Sequence, residues 1–181
     1  PDPLDIAIVG MDAFLPGAVG AEEFWAEVVA GTDAVTEVRS ERWDTARYYD
    51  ADAFTKDAGR RTPSKWGGFL RRIGFDPLRY GIPPSSLAAI EPVQLLSLEV
   101  AARALADAGY ATREFDRERA SVIFGAESGN ELAGAYGIRA FLPQLFGEVP
   151  PALEDWLPSL TEDSFPGVLS NVISGCIDNR L

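Results

Sequence analysis

Two short runs of consecutive apolar residues are the clearest candidates for buried strands. Residues Ile6 to Val9 read IAIV and end at Gly10, and residues 120–125 read ASVIFG. Short runs rich in β-branched residues and closed by glycine are typical of strands that are covered on both faces. The pattern therefore predicts two buried strands.

Three other segments, Ala21 to Gly31, Pro92 to Ala108 and Phe165 to Ile177, carry apolar residues at the i, i+3, i+4 spacing of an amphipathic helix. Pro92 suits the first turn of a helix, where its missing N–H costs nothing, and Gly109 suits the position after the last turn. We therefore predict one helix in each segment. The apolar positions that we assign to the buried faces are, in order, Phe24, Trp25, Val28 and Val29; Leu95, Leu96, Val100, Ala104 and Leu105; and Phe165, Val168, Leu169, Val172, Ile173, Cys176 and Ile177.

Residues 33–82 show no sustained periodicity, yet they contain eight aromatic side chains. Disordered segments are poor in aromatic residues, so we interpret this stretch as an irregular but ordered excursion that packs on the main body. Strands that alternate with helices favour a parallel sheet with helical cover. The predicted class is therefore α/β.

The amino-acid composition excludes or disfavours several kinds of binding and catalytic site. The chain has 28 acidic and 16 basic residues, a net charge of −12, which disfavours binding to nucleic acid or to an anionic membrane. It contains no histidine and a single cysteine, Cys176, so it cannot by itself build a Ser-His-Asp or Cys-His site, a histidine metal site or an internal disulfide. No apolar run approaches the roughly 18 residues that span a bilayer, the first residues do not form a secretory signal, and the cysteine usage fits a reducing compartment. We expect a cytoplasmic protein without a metal site.

Two segments resemble known sequence motifs but do not have the residue spacing that those motifs require. Gly10, Gly17 and Gly20 are too far apart for the G-x-G-x-x-G turn of dinucleotide-binding folds. The segment GAESG does not have the G-x-S-x-G spacing of a serine nucleophile elbow, and no histidine is present to activate Ser128. Nucleotide binding and serine hydrolysis are therefore disfavoured.

Six sequence segments, taken together and in their order along the chain, indicate a protein family. They are IAIVGMDAFLPGA (6–18), EEFWAEVVAGTDAVTEVRSERWD (22–44), YYDAD (48–52), GGFLRRIGFDPLRYGIPP (67–84), IEPVQLLSLEVAARALADAGY (90–110) and VIFGAESGN (122–130). The series resembles the N-terminal part of β-ketoacyl synthase domains of type I polyketide synthases or polyunsaturated-fatty-acid-type synthases. The form QLLSLEVA is most similar to the second group. Ala13 and Glu91 depart from the family pattern, in which a cysteine and an aspartate are common at these places.

This resemblance implies a thiolase-like fold, layered α-β-α-β-α, of which residues 1–181 would supply most of the N-terminal half. It also implies a decarboxylative Claisen condensation between a carrier-bound acyl chain and a malonyl thioester. The cysteine nucleophile and the two histidines of the family would lie beyond Leu181, so we assign no catalytic residue here. Cys176 lies on an apolar helical face rather than at a strand-to-helix turn, and we interpret it as a buried small hydrophobic residue. The alternative is a non-catalytic partner of the chain-length-factor type.

The resemblance further implies partners. We expect an acyl carrier protein that presents its phosphopantetheine arm, no cofactor bound directly, neighbouring synthase domains, and a homodimer. The segment from Lys56 to Arg79 has seven basic and two acidic residues. It is either a solvated loop or a surface on which an acidic carrier protein docks.

The turn at residues 126–130 follows the second predicted strand, where α/β folds place their binding crevices. We assign Glu127, Ser128, Leu132 and Tyr136 to the wall or mouth of an acyl pocket, because Leu132 and Tyr136 would share one face of a helix. Alternatively, Gly129 and Asn130 serve only the turn, for which both residues are well suited.

The predicted C-terminal helix also carries small and polar residues away from its apolar stripe. Small residues permit the close approach of another backbone. By analogy with the family, in which this helix lies near a two-fold axis, we assign Asn171, Ser174 and Gly175 to a dimer interface. Alternatively, they face a neighbouring helix of the same subunit.

Overall fold

The computed structural model describes residues 5–56, 59–127 and 131–181. The chain divides into two compact units. One unit is Ala13–Ile73, and the other combines the described part of Pro1–Asp12 with Gly74–Leu181.

In its described residues, the unit Ala13–Ile73 contains two antiparallel strand pairs and three helices. In the first pair Phe14 lies opposite Val19, and in the second Val35 lies opposite Gly68. The elements are β1 (Phe14–Leu15), β2 (Ala18–Val19), α1 (Ala21–Ala30), β3 (Val35–Glu37), α2 (Thr45–Tyr48), α3 (Ala53–Lys56) and β4 (Trp66–Gly68).

The predicted first helix is confirmed as α1. Gly31 ends it in the left-handed conformation, with φ 67°, which glycine adopts without steric cost. Its apolar face is not buried, because Trp25 is 66% exposed and no residue of α1 is buried. The periodicity thus predicted the helix correctly but not the burial of its apolar side.

The second unit is mainly helical. Its core consists of Tyr80, Ile82, Leu98, Ala102, Ile173 and Ile177, and Leu98 and Ile173 are each only 1% exposed. Three 3-10 turns cover Pro77–Tyr80, Pro84–Ala89 and Arg117–Arg119. The helices are α4 (Pro92–Asp107), α5 (Glu131–Phe146), α6 (Pro151–Glu154), α7 (Ser164–Val168) and α8 (Val172–Arg180).

Helix α4 confirms the second predicted helix, with Pro92 in its first turn and Gly109 just past its end at φ 81°. The assignment of its buried face was wrong. All five predicted face residues are only half-buried. Leu95 packs against the edge of the core, but the core itself contains Leu98 and Ala102 of this helix. The polar members of the buried face have partners inside the protein, so hydropathy alone could not identify it. The buried residues of α4 are Gln94, Ser97, Leu98 and Ala102.

The two predicted buried strands are wrong for this structure. Ile6–Val9 and residues 120–125 are irregular, and Ile6 and Ile123 are 92% and 94% exposed. A buried strand requires neighbouring strands that bond its backbone and cover its faces. The described residues place no such strands beside either run.

The third predicted helix is two helices rather than one. α7 ends at Val168 and α8 begins at Val172. The carbonyl oxygens of Pro166, Gly167 and Leu169 face the side chain of Gln94. Leu169 ends α7 in an extended backbone conformation, with ψ 123°, so the helix is interrupted between α7 and α8.

No helix in residues 5–56, 59–127 and 131–181 has the length and apolar character needed to cross a bilayer.

Candidate functional site

A buried carboxylate joins the start of α4 to the start of α5. Glu91 immediately precedes α4 and is only 3% exposed. Its Oε1 accepts hydrogen bonds from the backbone N–H of Leu132 at 2.9 Å and of Ala133 at 3.2 Å. The first N–H groups of a helix have no partner within the helix, and a negative charge is favourable at that end. Glu91 therefore caps α5 from 41 residues earlier in the chain.

Gln94, one turn into α4, holds the segment between α7 and α8. Its Nε2 lies 3.0, 2.9 and 3.1 Å from the carbonyl oxygens of Pro166, Gly167 and Leu169. An amide group has two hydrogens, so the three contacts share them. The backbone N–H of Glu91 donates to the same Gly167 oxygen at 2.9 Å. Both residues are thus tied to the α7 region.

Gly167 lets the two backbones touch. A Cβ at this position would lie 1.9 Å from the carbonyl oxygen of Ala89, which is far inside van der Waals contact. Only glycine fits without movement of the chain. We name Glu91, Gln94 and Gly167 the buried junction.

The four residues predicted to line an acyl pocket differ in their exposure and in the element to which they belong. Tyr136 is buried, Leu132 is half-buried one turn before it on α5, and Glu127 is exposed in an irregular segment. Ser128 lies outside the described residues. The structure therefore brings Leu132 and Tyr136 onto one helix whose first turn meets the buried junction.

Sequence reasoning missed the role of the buried junction. Glu91 stood out only as a departure from the family's usual aspartate, and Gln94 only as part of a matching motif. The available signal was the i, i+3, i+4 spacing of Glu91, Gln94 and residues 97 and 98, a set in which polar residues occupy core positions. Polar side chains at such positions require internal partners.

In the described part of the basic segment from Lys56 to Arg79, four bases contact acids that lie outside the segment. The side-chain hydrogen bonds to those acids raise the pKa of Lys65 and of Arg71. This pairing favours a structural role for these charges over a free docking surface. The pairs are Arg61 with Asp50 at 3.9 Å, Lys65 with Glu37 at 2.7 Å, Arg71 with Glu23 at 2.5 Å and Arg79 with Glu99 at 3.6 Å.

An apolar cavity of about 660 Å³ opens on the second unit. Val100, Ala104 and Leu105 of α4, three residues of its predicted buried face, line it together with residues 120–124 and the end of α8. Residues 120–124, which were predicted to form the second strand, and the half-buried side of α4 thus line the same cavity.

The predicted interface residues lie on α8 and at its start. Asn171 and Gly175 are exposed, and a Cβ at Gly175 would meet no atom within 4 Å. The Ser174 hydroxyl, which is half-buried, donates to the Asn171 carbonyl at 3.3 Å. Cys176 is half-buried rather than fully buried, and it lies within α8 instead of at a strand-to-helix turn.

Within the part of the chain that the structure describes, no three Cys, Asp or Glu residues cluster in a way that could hold a metal ion.

Comparison with known protein families gives one match over nearly the whole chain. The family model "Beta-ketoacyl synthase, N-terminal domain" matches residues 4–180. Among curated proteins, the polyketide synthase PksN of Bacillus subtilis is 38% identical over 124 residues, which are 68% of this chain and 2% of that protein. The PKS-NRPS hybrid synthetase ATPKS of Aspergillus niger is 33% identical over 174 residues, which are 88% of this chain and 9% of that protein. The chain thus spans a small fraction of these relatives.

Solved structures agree in fold. The ketosynthase from module 6 of the Bacillus subtilis bacillaene synthase aligns with 78% of this chain and 24% of its own length, at a TM-score of 0.52 and 29% identity. An oxazolomycin ketosynthase domain of Streptomyces albus aligns with 56% of this chain and 18% of its own, at a TM-score of 0.51 and 34% identity. These domains have the thiolase-like α/β fold, and the chain shares it.

Proposed function

The chain belongs to the β-ketoacyl synthase family, and we propose that the complete protein is a chain-extending ketosynthase of a polyketide synthase. The match of residues 4–180 to the family's N-terminal domain carries this proposal. In the proposed reaction, an acyl group moves from a carrier-protein thiol to an enzyme cysteine. A malonyl thioester then loses CO₂, its carbon attacks the acyl carbonyl, and the cysteine thiolate leaves.

The catalytic groups of this reaction are not within residues 1–181. The chain has no histidine, and its one thiol, Cys176, sits inside α8. A catalytic cysteine is activated at a helix N-terminus or beside a cationic group that is available to it. Cys176 lies in the middle of α8, and Arg180, the basic residue one turn later, donates to the Tyr80 carbonyl. Residues 1–181 alone are therefore inactive in condensation and serve as scaffold and pocket wall.

The test uses the complete synthase with its carrier protein. After incubation with an acyl-loaded carrier, mass spectrometry finds an acyl adduct on a cysteine outside residues 1–181, and addition of malonyl carrier yields a chain longer by two carbons. A protein that folds and dimerises, yet has a residue other than cysteine at that position and forms no adduct, contradicts catalysis. That outcome identifies the non-catalytic, chain-length-factor-type partner instead.

The proposed partners are an acyl carrier protein, whose phosphopantetheine arm delivers the thioesters, and the neighbouring synthase domains. The names of the relatives support these partners, because polyketide synthases carry growing chains in this way. We propose that the protein binds no cofactor of its own and works in the cytoplasm.

We further propose that Glu127, Ser128, Leu132 and Tyr136 form the wall or mouth of the acyl pocket. The shared helix and the burial of Tyr136 support this placement. In the complete synthase, Tyr136→Ala removes a buried ring and shifts the product towards longer chains while acylation from the carrier persists. Tyr48→Ala, at an exposed tyrosine, is the matched control. An unchanged product profile in a folded Tyr136→Ala variant contradicts the assignment.

The third part of the proposal is a dimer interface that includes Asn171, Ser174 and Gly175. Gly175 is exposed, and there is open space around it within its own chain. Gly175→Trp in the complete domain therefore leaves the subunit folded but lowers its mass in light scattering from dimer to monomer. Gly134→Trp, at an exposed glycine of α5, keeps the dimer. A Gly175→Trp variant that remains a dimer places these residues outside the interface.

A further inference from the structure

We propose that Glu91 is a positioning residue whose side-chain length fixes the start of α5, and thereby sets the place of Leu132 and Tyr136. This inference deepens the proposed function, since it rests on these two residues forming part of the acyl pocket wall. Gln94 and Gly167 hold the backbone from which Glu91 reaches α5.

The side chain of Glu91 extends beyond its own helix. Glu91 occupies the position before Pro92, where a short polar side chain would cap its own helix. Its side chain makes no capping bond to α4. Its carboxylate instead extends to the N–H groups of Leu132 and Ala133. An aspartate, shorter by one methylene, has the length that suits a cap on α4 itself, and its carboxylate falls short of α5.

The backbone from which the Glu91 side chain extends is held by hydrogen bonds and close packing. The backbone N–H of Glu91 is bonded to Gly167, and Gln94 in the next turn is bonded to three carbonyls of the same segment. Gly167 also touches the backbone of Ala89, two residues before Glu91. Because both residues are buried and bonded, the carboxylate is held in one place. A group fixed in this way can determine where another element begins.

Helix α5 is held at two points along its length. The later part of α5 is tied by Arg139, which donates to the Glu154 carboxylate and, at 3.1 Å, to the Leu157 carbonyl. The first turn is held by Glu91, and Tyr136 lies between these two anchors. A displaced first turn would therefore move Leu132 directly and tilt Tyr136 about the Arg139 anchor.

The experiment compares Glu91→Asp with Glu91→Gln in the complete domain. Aspartate keeps the negative charge but has a side chain that is one methylene shorter. Glutamine keeps the length of the side chain and an oxygen that can accept a hydrogen bond. Amide hydrogen exchange at Leu132 and Ala133 becomes at least about tenfold faster in Glu91→Asp, as expected when bonds to a charged group are lost. In Glu91→Gln it stays within about threefold of the unmodified protein, since a neutral acceptor still bonds these groups. In the unmodified domain the two amides exchange at least about tenfold more slowly than in an unfolded chain, and this measurement needs no variant to fold.

The functional arm measures the product-length distribution of the complete synthase. Glu91→Asp broadens or shifts the distribution, and Glu91→Gln restores it. The inference is overturned by unprotected Leu132 and Ala133 amides in the unmodified domain, by equal effects of the two variants, or by changed exchange with an unchanged product. If the unmodified synthase forms no acyl adduct, the proposed function fails, while the exchange data still decide whether Glu91 holds α5.

Discussion

At the scale of single residues, two helical glycines have opposite environments. A Cβ at Gly167 would lie 1.9 Å from the Ala89 carbonyl oxygen, whereas a Cβ at Gly134 would meet nothing within 4 Å. The same substitution should therefore have opposite effects at the two positions, although both glycines occupy helices.

Gly167→Ala in the complete domain should lower the free energy of unfolding by about 1–3 kcal/mol, because the backbones of α7 and residue 89 must separate. Gly134→Ala is the matched control and should raise it by about 0.5–1 kcal/mol, since alanine is the better helix former. Denaturant unfolding measures both changes. A neutral or stabilising Gly167→Ala variant would show that this close contact does not exist.

Tyr80 gives a prediction about alkaline pH. Its ring is buried and stacks on Phe75 with 5.2 Å between centroids, and its hydroxyl donates to the Glu99 carboxylate. Burial first, and the hydrogen bond with Glu99 second, raise the pKa of the Tyr80 phenol above its ordinary value of 10.0. The folded state thus favours the protonated phenol more strongly than the unfolded state does.

The stabilisation linked to this shift is fully present below pH 10 and is lost as the pH rises above the ordinary tyrosine value. The free energy of unfolding of the complete domain should therefore fall more steeply between pH 9 and 11.5, in roughly the range where tyrosine titrates, than that of the Tyr80→Phe variant. Tyr48→Phe removes an exposed hydroxyl and is the control. Parallel pH profiles for the unmodified domain and Tyr80→Phe would contradict the predicted shift.

At the scale of elements, local periodicity predicted α1 and α4 correctly, whereas the two predicted buried strands were wrong. The bounds of α1 and α4 agree with the predicted helices because a helix satisfies its own backbone hydrogen bonds within one segment. A strand depends on partners elsewhere. The runs Ile6–Val9 and 120–125 have the composition of buried strands but lie exposed here.

We expect both runs to pair in the complete domain, where the rest of the thiolase-like sheet is present. Their amides should then exchange at least about a hundredfold more slowly in the complete domain than in the 181-residue polypeptide, as core strands do. The amides of α4 give the reference within each sample. Equal exchange in the two samples would show that these runs are not strands of the sheet.

At the scale of the whole molecule, the chain exposes much apolar surface. Side chains such as Ile6, Trp25, Ile123 and Trp156 are mostly accessible, and the apolar cavity beside α4 is open. Exposed apolar patches of this kind mark surfaces that other polypeptide covers, and they lead to association when left open.

The 181-residue polypeptide expressed alone should consequently bind a hydrophobic dye, associate as its concentration rises and melt without a sharp transition. The complete domain is the control and should melt cooperatively. A sharp, concentration-independent melt of a monomeric 181-residue polypeptide would contradict this prediction.

The sequence by itself determined the family, the limits of α1 and α4, and the absence of histidine chemistry, because each of these depends on residue identity or on local spacing. It did not determine which side of α4 is buried. The aliphatic residues Leu96 and Val100 are only half-buried. Gln94 and Ser97 are buried, because their polar atoms have hydrogen-bond partners inside the protein.

Only the tertiary structure decided the break between α7 and α8 and the cap that Glu91 places on α5. Gln94 donates hydrogen bonds to carbonyls that lie 72 to 75 residues away, at the place where the predicted third helix is interrupted. Glu91 accepts hydrogen bonds from a helix that begins about 40 residues further along the chain, the first from an N–H 41 residues away. Such contacts join residues that no local pattern relates. Each buried polar group must find a partner, and the chain meets that requirement only once it is folded.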